Sequence, residues 1–222
     1  MTFSLVGRCA RTGMLGAAVT SSSVAVGARC PYALAGIGAA LTQSLTDPRL
    51  GPLALDLLAR GFTAEEAMKA IVAATPHRAW RQLAIIDAAG RTATFTGASA
   101  GAATGEARGL DCAAVANIVR SAEIPRAMVA AFERSADAPL PRRLIDALLA
   151  GETAGGELQP VTSAGLIVVN RERFAYVNLR VDHHAQPIAE LDRLWELYAP
   201  EADLYVVRAV DPRQEATFAA AK

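Results

Sequence analysis

The order in which the hydrophobic period of this sequence changes narrows the possible folds more than any other feature. Residues 2–9 alternate and read as a strand, Arg11-Thr12-Gly13 makes a turn, and residues 14–20 read as a second strand of small side chains. Residues 24–29 and 35–42 read as two more short strands, punctuated by Pro31 and Gly36. The period then turns helical. Pro52 starts a helix through Leu53, Leu57 and Leu58 that Gly61 stops, and Thr63-Ala-Glu-Glu66 is a capping box that opens a helix through Ala73. Residues 83–87 and 91–96 form a hairpin about Ala89-Gly90.

The second half repeats that order. Residues 112–119 read as a strand, residues 125–134 and 140–149 as helices, the latter ended by Gly151. A strand pair at 164–169 and 174–181 follows, then an amphipathic helix at 188–198 and a last short strand at 204–207. Strands in blocks followed by helices in blocks signal an α+β fold of stacked layers, not alternating βαβ units. No linker interrupts the pattern, so residues 1–207 read as one domain and residues 208–222 as a loose C-terminal tail.

Composition sets the partners. Apolar residues make up 52% against 20% charged, and mean hydropathy is +0.25, which excludes disorder. Lys+Arg 22 balances Asp+Glu 22, so nucleic acid and anionic membrane, which want a basic surplus, are not expected as partners. No stretch reaches the ~18 uninterrupted apolar residues of a membrane span. The first residues lack the charged start and long apolar run of a signal peptide. Cys9, Cys30 and Cys112 are odd in number and unclustered, so they read as reduced, buried thiols of a cytoplasmic protein. His77, alone after Pro76, reads as a surface residue.

Seven pieces of sequence recur in an order that carries a family resemblance. They are Thr2-Phe-Ser-Leu-Val, Thr42-Gln43 followed by Thr46-Asp-Pro, Gly51-Pro, Arg81-Gln82-Leu83, Thr96-Gly97, Gly155-Gly156, and Leu179-Arg180-Val181-Asp182 with His184. Over residues 2–199 they resemble the domain-of-unknown-function family 1028, placed in the N-terminal-nucleophile (Ntn) hydrolase-like superfamily. The resemblance implies a four-layer αββα sandwich, two face-to-face and mainly antiparallel sheets between helical layers. Four departures mark a divergent member: Val115-Ala116-Asn117 stands for Gln-Gly-Asn, Thr162 for Gln, Glu157 for Asp, and His183 for a second Asp.

What the resemblance implies chemically centres on Thr2. In Ntn chemistry the first residue of the mature chain is the nucleophile and its own α-amine the base, with an ordinary pKa of about 7.7–8.0. Trimming of an initiator methionine would expose Thr2; its bland reading is an ordinary β-branched strand residue. Ser4 shares its strand face and would line the site. Neither lysine, Lys69 or Lys222, lies near the early strands, where some members of that superfamily keep a supporting cation, and Arg29 is the nearest substitute. A second polar cluster follows a strand: Asp182 and His184 as acid–base candidates, with Arg180 as a clamp for a substrate carboxylate. The competing reading is a solvated loop in which Asp182 caps the next helix. Thr42, Gln43, Arg81 and Asn117 complete the substrate-binding candidates. Asp182, His184 and Glu190 lack a recognised metal spacing, and no phosphate loop, dinucleotide fingerprint or nucleophile elbow appears, so no metal and no cofactor are expected.

Two functions follow. One is a hydrolase of an amide, a linear or cyclic C–N bond, in a small polar metabolite or short peptide. The other is a non-catalytic small-molecule-binding or structural homo-oligomer that retained the fold. Trp195, Tyr198 and Leu204 read as surplus apolar surface covered by a second copy in a homodimer.

Overall fold

The computed structural model describes residues 1–214. Four strands come first: β1 (Thr2–Arg8), β2 (Leu15–Ser21), β3 (Pro31–Leu34) and β4 (Gly38–Ser44). Helices α1 (Leu50–Ala59) and α2 (Ala64–Ala74) precede β5 (Arg81–Asp87), β6 (Thr92–Thr96), β7 (Gly105–Gly109) and β8 (Cys112–Asn117). Helices α3 (Ile124–Arg134) and α4 (Leu140–Thr153) lead to β9 (Ser163–Val169), β10 (Ala175–Val181), α5 (Pro187–Tyr198) and α6 (Ala202–Val210).

The strands form two antiparallel sheets. One has six strands in the order β10-β9-β2-β1-β8-β7, and the other four in the order β3-β4-β5-β6. Period-2 alternation sends each strand's two faces into different cores. Phe3, Leu5, Leu166 and Val168 pack under Met128, Phe132, Leu144 and Trp195 of α3, α4 and α5. Val6, Ala17, Val19, Leu41, Ile86 and Val115 fill the space between the sheets. Ala40, Leu83 and Ile85 meet Leu50, Leu58 and Ile71 of α1 and α2. Three apolar interfaces stack four layers, helices–sheet–sheet–helices. The small residues of β2, β4 and β8 let the two sheets approach closely.

Several local expectations are corrected. Residues 26–28 form a short 3-10 turn, not a strand, because this segment lies over β9: a Cβ on Gly165 would come within 2.6 Å of the Gly27 Cα. Gly151 does not stop α4. It lies inside the helix because its missing side chain makes room for the Phe3 ring, 2.9 Å from a would-be Cβ. Residues 204–207 belong to α6 despite the β-branched Val206 and Val207: Ala202 and Leu204 are buried, and the Val207 carbonyl accepts the i+4 bond from the Asp211 N–H at 2.8 Å. Trp195 and Leu204 are buried within the chain, so neither is spare surface, and Tyr198 is half-buried. Strand β7 went unseen because Gly-Glu-Ala-Arg-Gly has little strand propensity. Of the expected tail, residues 208–210 are the end of α6 rather than loose, residues 212–214 form one 3-10 turn, and residues 215–222 lie outside the described residues.

Candidate active site

At one end of the six-stranded sheet, four neighbouring strands each present a polar side chain to the space between the sheets. Thr2 of β1 pairs with Asn117 of β8, and Ser21 of β2 pairs with Ser163 of β9. All four are buried. The Ser21 hydroxyl donates to the Met1 carbonyl at 2.7 Å, and the Thr2 hydroxyl donates to the same carbonyl. Ser163 Oγ donates to the Ser23 carbonyl at 2.6 Å and accepts from the Val26 N–H at 3.1 Å, which ties down the segment after β2.

Beneath this row lies a buried amide network that joins the sheets. Ser4 Oγ donates to Gln43 Oε1 at 2.6 Å, and Gln43 Nε2 donates to Gln82 Oε1 at 2.8 Å. Gln82 Nε2 donates to Thr96 Oγ1 and to the Ala116 carbonyl, both at 2.9 Å. Asn117 Nδ2 closes the network on Gln82 Oε1 at 3.0 Å. Asn117 Oδ1 is buried without a partner. The residue after Asn117, Ile118, adopts φ +53°, a costly conformation for a β-branched side chain.

Above the row sits Glu157. Gly155 and Gly156, at φ +126° and +63°, turn the chain so that Glu157 bridges Val119 beyond β8. Its side chain reaches Ser22 beyond β2, whose N–H donates to Oε2 at 3.0 Å. Burial pushes the Glu157 carboxyl up to about 7, against the lowering effects of the Ser22 hydrogen bonds and of the N-terminal ammonium. Ser21, Gln82 and Glu157 were not among the residues singled out for the site. Gln82 stands in one of the resembling pieces, and Glu157 follows the Gly155-Gly156 piece as a departure from Asp, but the contact itself depends on strand order.

The structure therefore brings together Thr2, Ser4, Gln43 and Asn117. Thr42 and Arg81 belong to the opposite face of the four-stranded sheet, because they alternate with Gln43 and Gln82. There Thr42 Oγ1 donates to the Asp47 carbonyl at 3.2 Å, and Arg81 donates to the Leu45 carbonyl. The Arg49 guanidinium holds the Asp47 carboxyl below the usual carboxylate range, with Arg81 3.8 Å away adding to it. Arg29 is half-buried and donates to the Val24 and Ala25 carbonyls.

Arg180 is the penultimate residue of β10, and Asp182 and His184 follow just past its end. Arg180 Nη2 is 2.7 Å from Asp182 Oδ2, both are exposed, and each shifts the other: the Asp182 carboxyl goes down, the Arg180 guanidinium up. His184 Nδ1 accepts from the Gln186 N–H at 3.1 Å. β2 and β9 lie between this group and β1, which at about 4.8 Å per strand is roughly 14 Å. The backbone does link them: Thr162 N–H donates to the Ser21 carbonyl and His184 N–H to the Thr162 carbonyl, each at 2.8 Å. Among the described residues no group of three or more His, Cys, Asp or Glu is arranged to hold a metal ion. No helix there is long and apolar enough to cross a membrane.

Comparison with known proteins agrees with this architecture. A protein from Silicibacter pomeroyi, of the family DUF1028, is 31% identical, over 89% of this chain and 88% of that one, at a TM-score of 0.82. Anbu (ancestral beta-subunit) from Yersinia bercovieri is 11% identical over 94% of this chain and 97% of that one, at a TM-score of 0.41, too slight a likeness to argue from. No curated protein matches the chain. The family model matches residues 2–191, and the chain belongs to the family of unknown function DUF1028.

Proposed function

We propose that this protein is an amide hydrolase whose nucleophile is the hydroxyl of Thr2, once the residue before it has been removed. The observation that carries the reading is the position of Thr2. It opens the central strand, faces the space between the sheets, and lies between Ser21 and Asn117 at the end where both sheets stop. A strand hydrogen-bonded on both sides holds a reacting group in one orientation.

The chemistry needs little else. The free α-amine of Thr2 takes the hydroxyl proton as Oγ attacks the substrate's amide carbon. The C–N bond then breaks as that proton passes to the leaving nitrogen, which leaves an ester on Thr2. Water, deprotonated by the same amine, attacks the ester and restores the hydroxyl, so amide plus water becomes acid plus amine. The buried hydroxyl of Ser21 and the amide of Asn117 supply polar contacts beside the reacting centre. Ser4 and Gln43 brace this floor. Arg180, Asp182 and His184, at the same end of the sheet but on the surface, serve in this reading as an outer contact for the polar part of a small metabolite or short peptide, and Thr42 and Arg81 support the rim.

Intact-mass measurement of the protein from its native host decides the first step: a mass that retains Met1 sinks the mechanism. Where Met1 is gone, Thr2→Ala should abolish turnover across a panel of linear and cyclic amides, and unchanged turnover refutes the nucleophile. A native protein that binds a metabolite yet cleaves nothing in that panel is instead a non-catalytic binder on the same fold. The three cysteines are free and buried, which supports a reducing compartment such as the cytoplasm. Phe174, Leu197, Tyr205 and Val210 are exposed on the C-terminal elements and support a homodimer.

A further inference from the structure

Two acceptor atoms at this site are buried without a donor, and both flank the same point. Glu157 is 4% exposed; Oε2 accepts from Ser22, while Oε1 has no partner. Asn117 is 0% exposed; Nδ2 is bonded to Gln82, while Oδ1 has no partner. A buried carboxylate oxygen without a donor is costly, so a donor belongs there.

The topology says where that donor comes from. Glu157 is anchored beside Val119, past the end of β8, and its carboxyl is fixed at Ser22, past the end of β2. β2 and β8 are the two neighbours of β1, so the side chain crosses the start of β1. Asn117 is the register partner of Thr2. The Met1–Thr2 peptide that occupies this position is held through its carbonyl by Ser21. Removing Met1 takes that carbonyl away and leaves the Thr2 nitrogen as an ammonium with three N–H donors.

We propose that Glu157 Oε1 and Asn117 Oδ1 hold the freed α-amine of Thr2. This rests on the nucleophile reading above and adds the group that governs its base. Glu157 is a positioning residue in that role, since it touches the amine and not the substrate. Its carboxylate aligns the amine toward Thr2 Oγ and stabilises the ammonium formed when the hydroxyl proton is taken. Asn117, neutral, accepts a second N–H and leaves the amine's charge to Glu157.

Few other charges face this point. Arg120 and Glu152 line the same hollow of about 220 Å³ as Glu157, together with Phe3, but both are exposed, and Arg120 donates to the Leu158 carbonyl. On the other side Cys30 is buried and its thiol pushed up by desolvation, so it stays neutral near pH 7.

The test is a titration of the α-amine by NMR in the chain that begins at Thr2, labelled with ¹⁵N-threonine. In wild type the amine should titrate at or above the ordinary range of about 7.7–8.0. In Glu157→Gln, which keeps an acceptor for Ser22 but loses the charge, it should fall by about one unit, and in Glu157→Asp it should recover. The rising limb of the kcat/KM pH profile should move with it, to lower pH in Glu157→Gln. Equal amine pKa values in wild type and Glu157→Gln overturn the proposal. Should Glu157→Gln fail to fold, the wild-type titration decides alone, and an amine well below the ordinary range overturns it. The titration needs no turnover, so a Thr2→Ala variant that still cleaves amides would sink the nucleophile while leaving the amine pairing to its own result.

Discussion

Gln43 and Gln82 face each other across β4 and β5 and donate to the Val115 and Ala116 carbonyls of the other sheet. An amide in the middle of an apolar interface is tolerated only when it is fully bonded, and here the bonds run from one sheet to the other. The sequence marks Gln43, Ser4 and Asn117 as polar residues among apolar ones. What it could not show is that they belong to one network, because that requires the strand order and the sheet-to-sheet register. Glu157 is harder still: it precedes an irregular segment and gains its meaning only where β1, β2 and β8 end together. Its carboxyl makes a prediction at this scale, for the chain that retains Met1. The folded-state pKa, about 7, lies above the unfolded value of 4.5. Between those values the native state binds more protons than the unfolded one, so stability falls as pH rises through the window. The loss is on the order of 3 kcal/mol. Glu157→Gln should remove this slope, so urea unfolding at pH 5 and pH 8 should show a smaller difference than in wild type; the same difference in both would contradict it.

Elements were legible where local chemistry governs and illegible where packing overrides it. The capping box at Thr63 and Glu66 is present with both of its hydrogen bonds, and α2 starts where it says. Residues 24–29 failed because β-propensity at Val24 and Val26 yields to the closeness of this segment to β9. Gly27 and Gly165 meet there without side chains. That contact fixes the turn which follows Ser21 and Ser22, and so fixes both donors that hold the first peptide and Glu157. Gly165→Ala places a methyl group 2.6 Å from the Gly27 Cα and must push the turn outward. It should cost about 1–3 kcal/mol, seen as a lower urea midpoint, and should expose the amides of residues 22–28 to faster hydrogen exchange. Unchanged exchange in that segment would show that the contact does not hold it.

The whole molecule was the most legible level. Three apolar interfaces among four layers explain why a neutral chain is 52% apolar, and alanine-rich strands explain how two sheets pack face to face. The expected surplus was misjudged, since Trp195 and Leu204 pack inside; the large apolar residues exposed in the same C-terminal part of the described chain are Phe174, Leu197, Tyr205 and Val210. A sedimentation mass of two chains is the expected outcome at this scale, and a mass of 23.2 kDa would contradict it.

The central place of β1 also orders events in time. Its partner strand β8 ends at Asn117, about 115 residues downstream of Thr2. At synthesis rates of roughly 5–20 residues per second, β8 follows β1 out of the ribosome by about 6–23 s. For a chain begun at Met1, that interval is when an aminopeptidase meets a first peptide bond on a strand that only β2 has had the chance to pair. Afterwards the Met1 carbonyl is held by Ser21 and the residue is half-buried. Under the proposed function, maturation of this terminus is a race between trimming and sheet closure, and its yield would depend on translation speed as much as on the enzyme that trims.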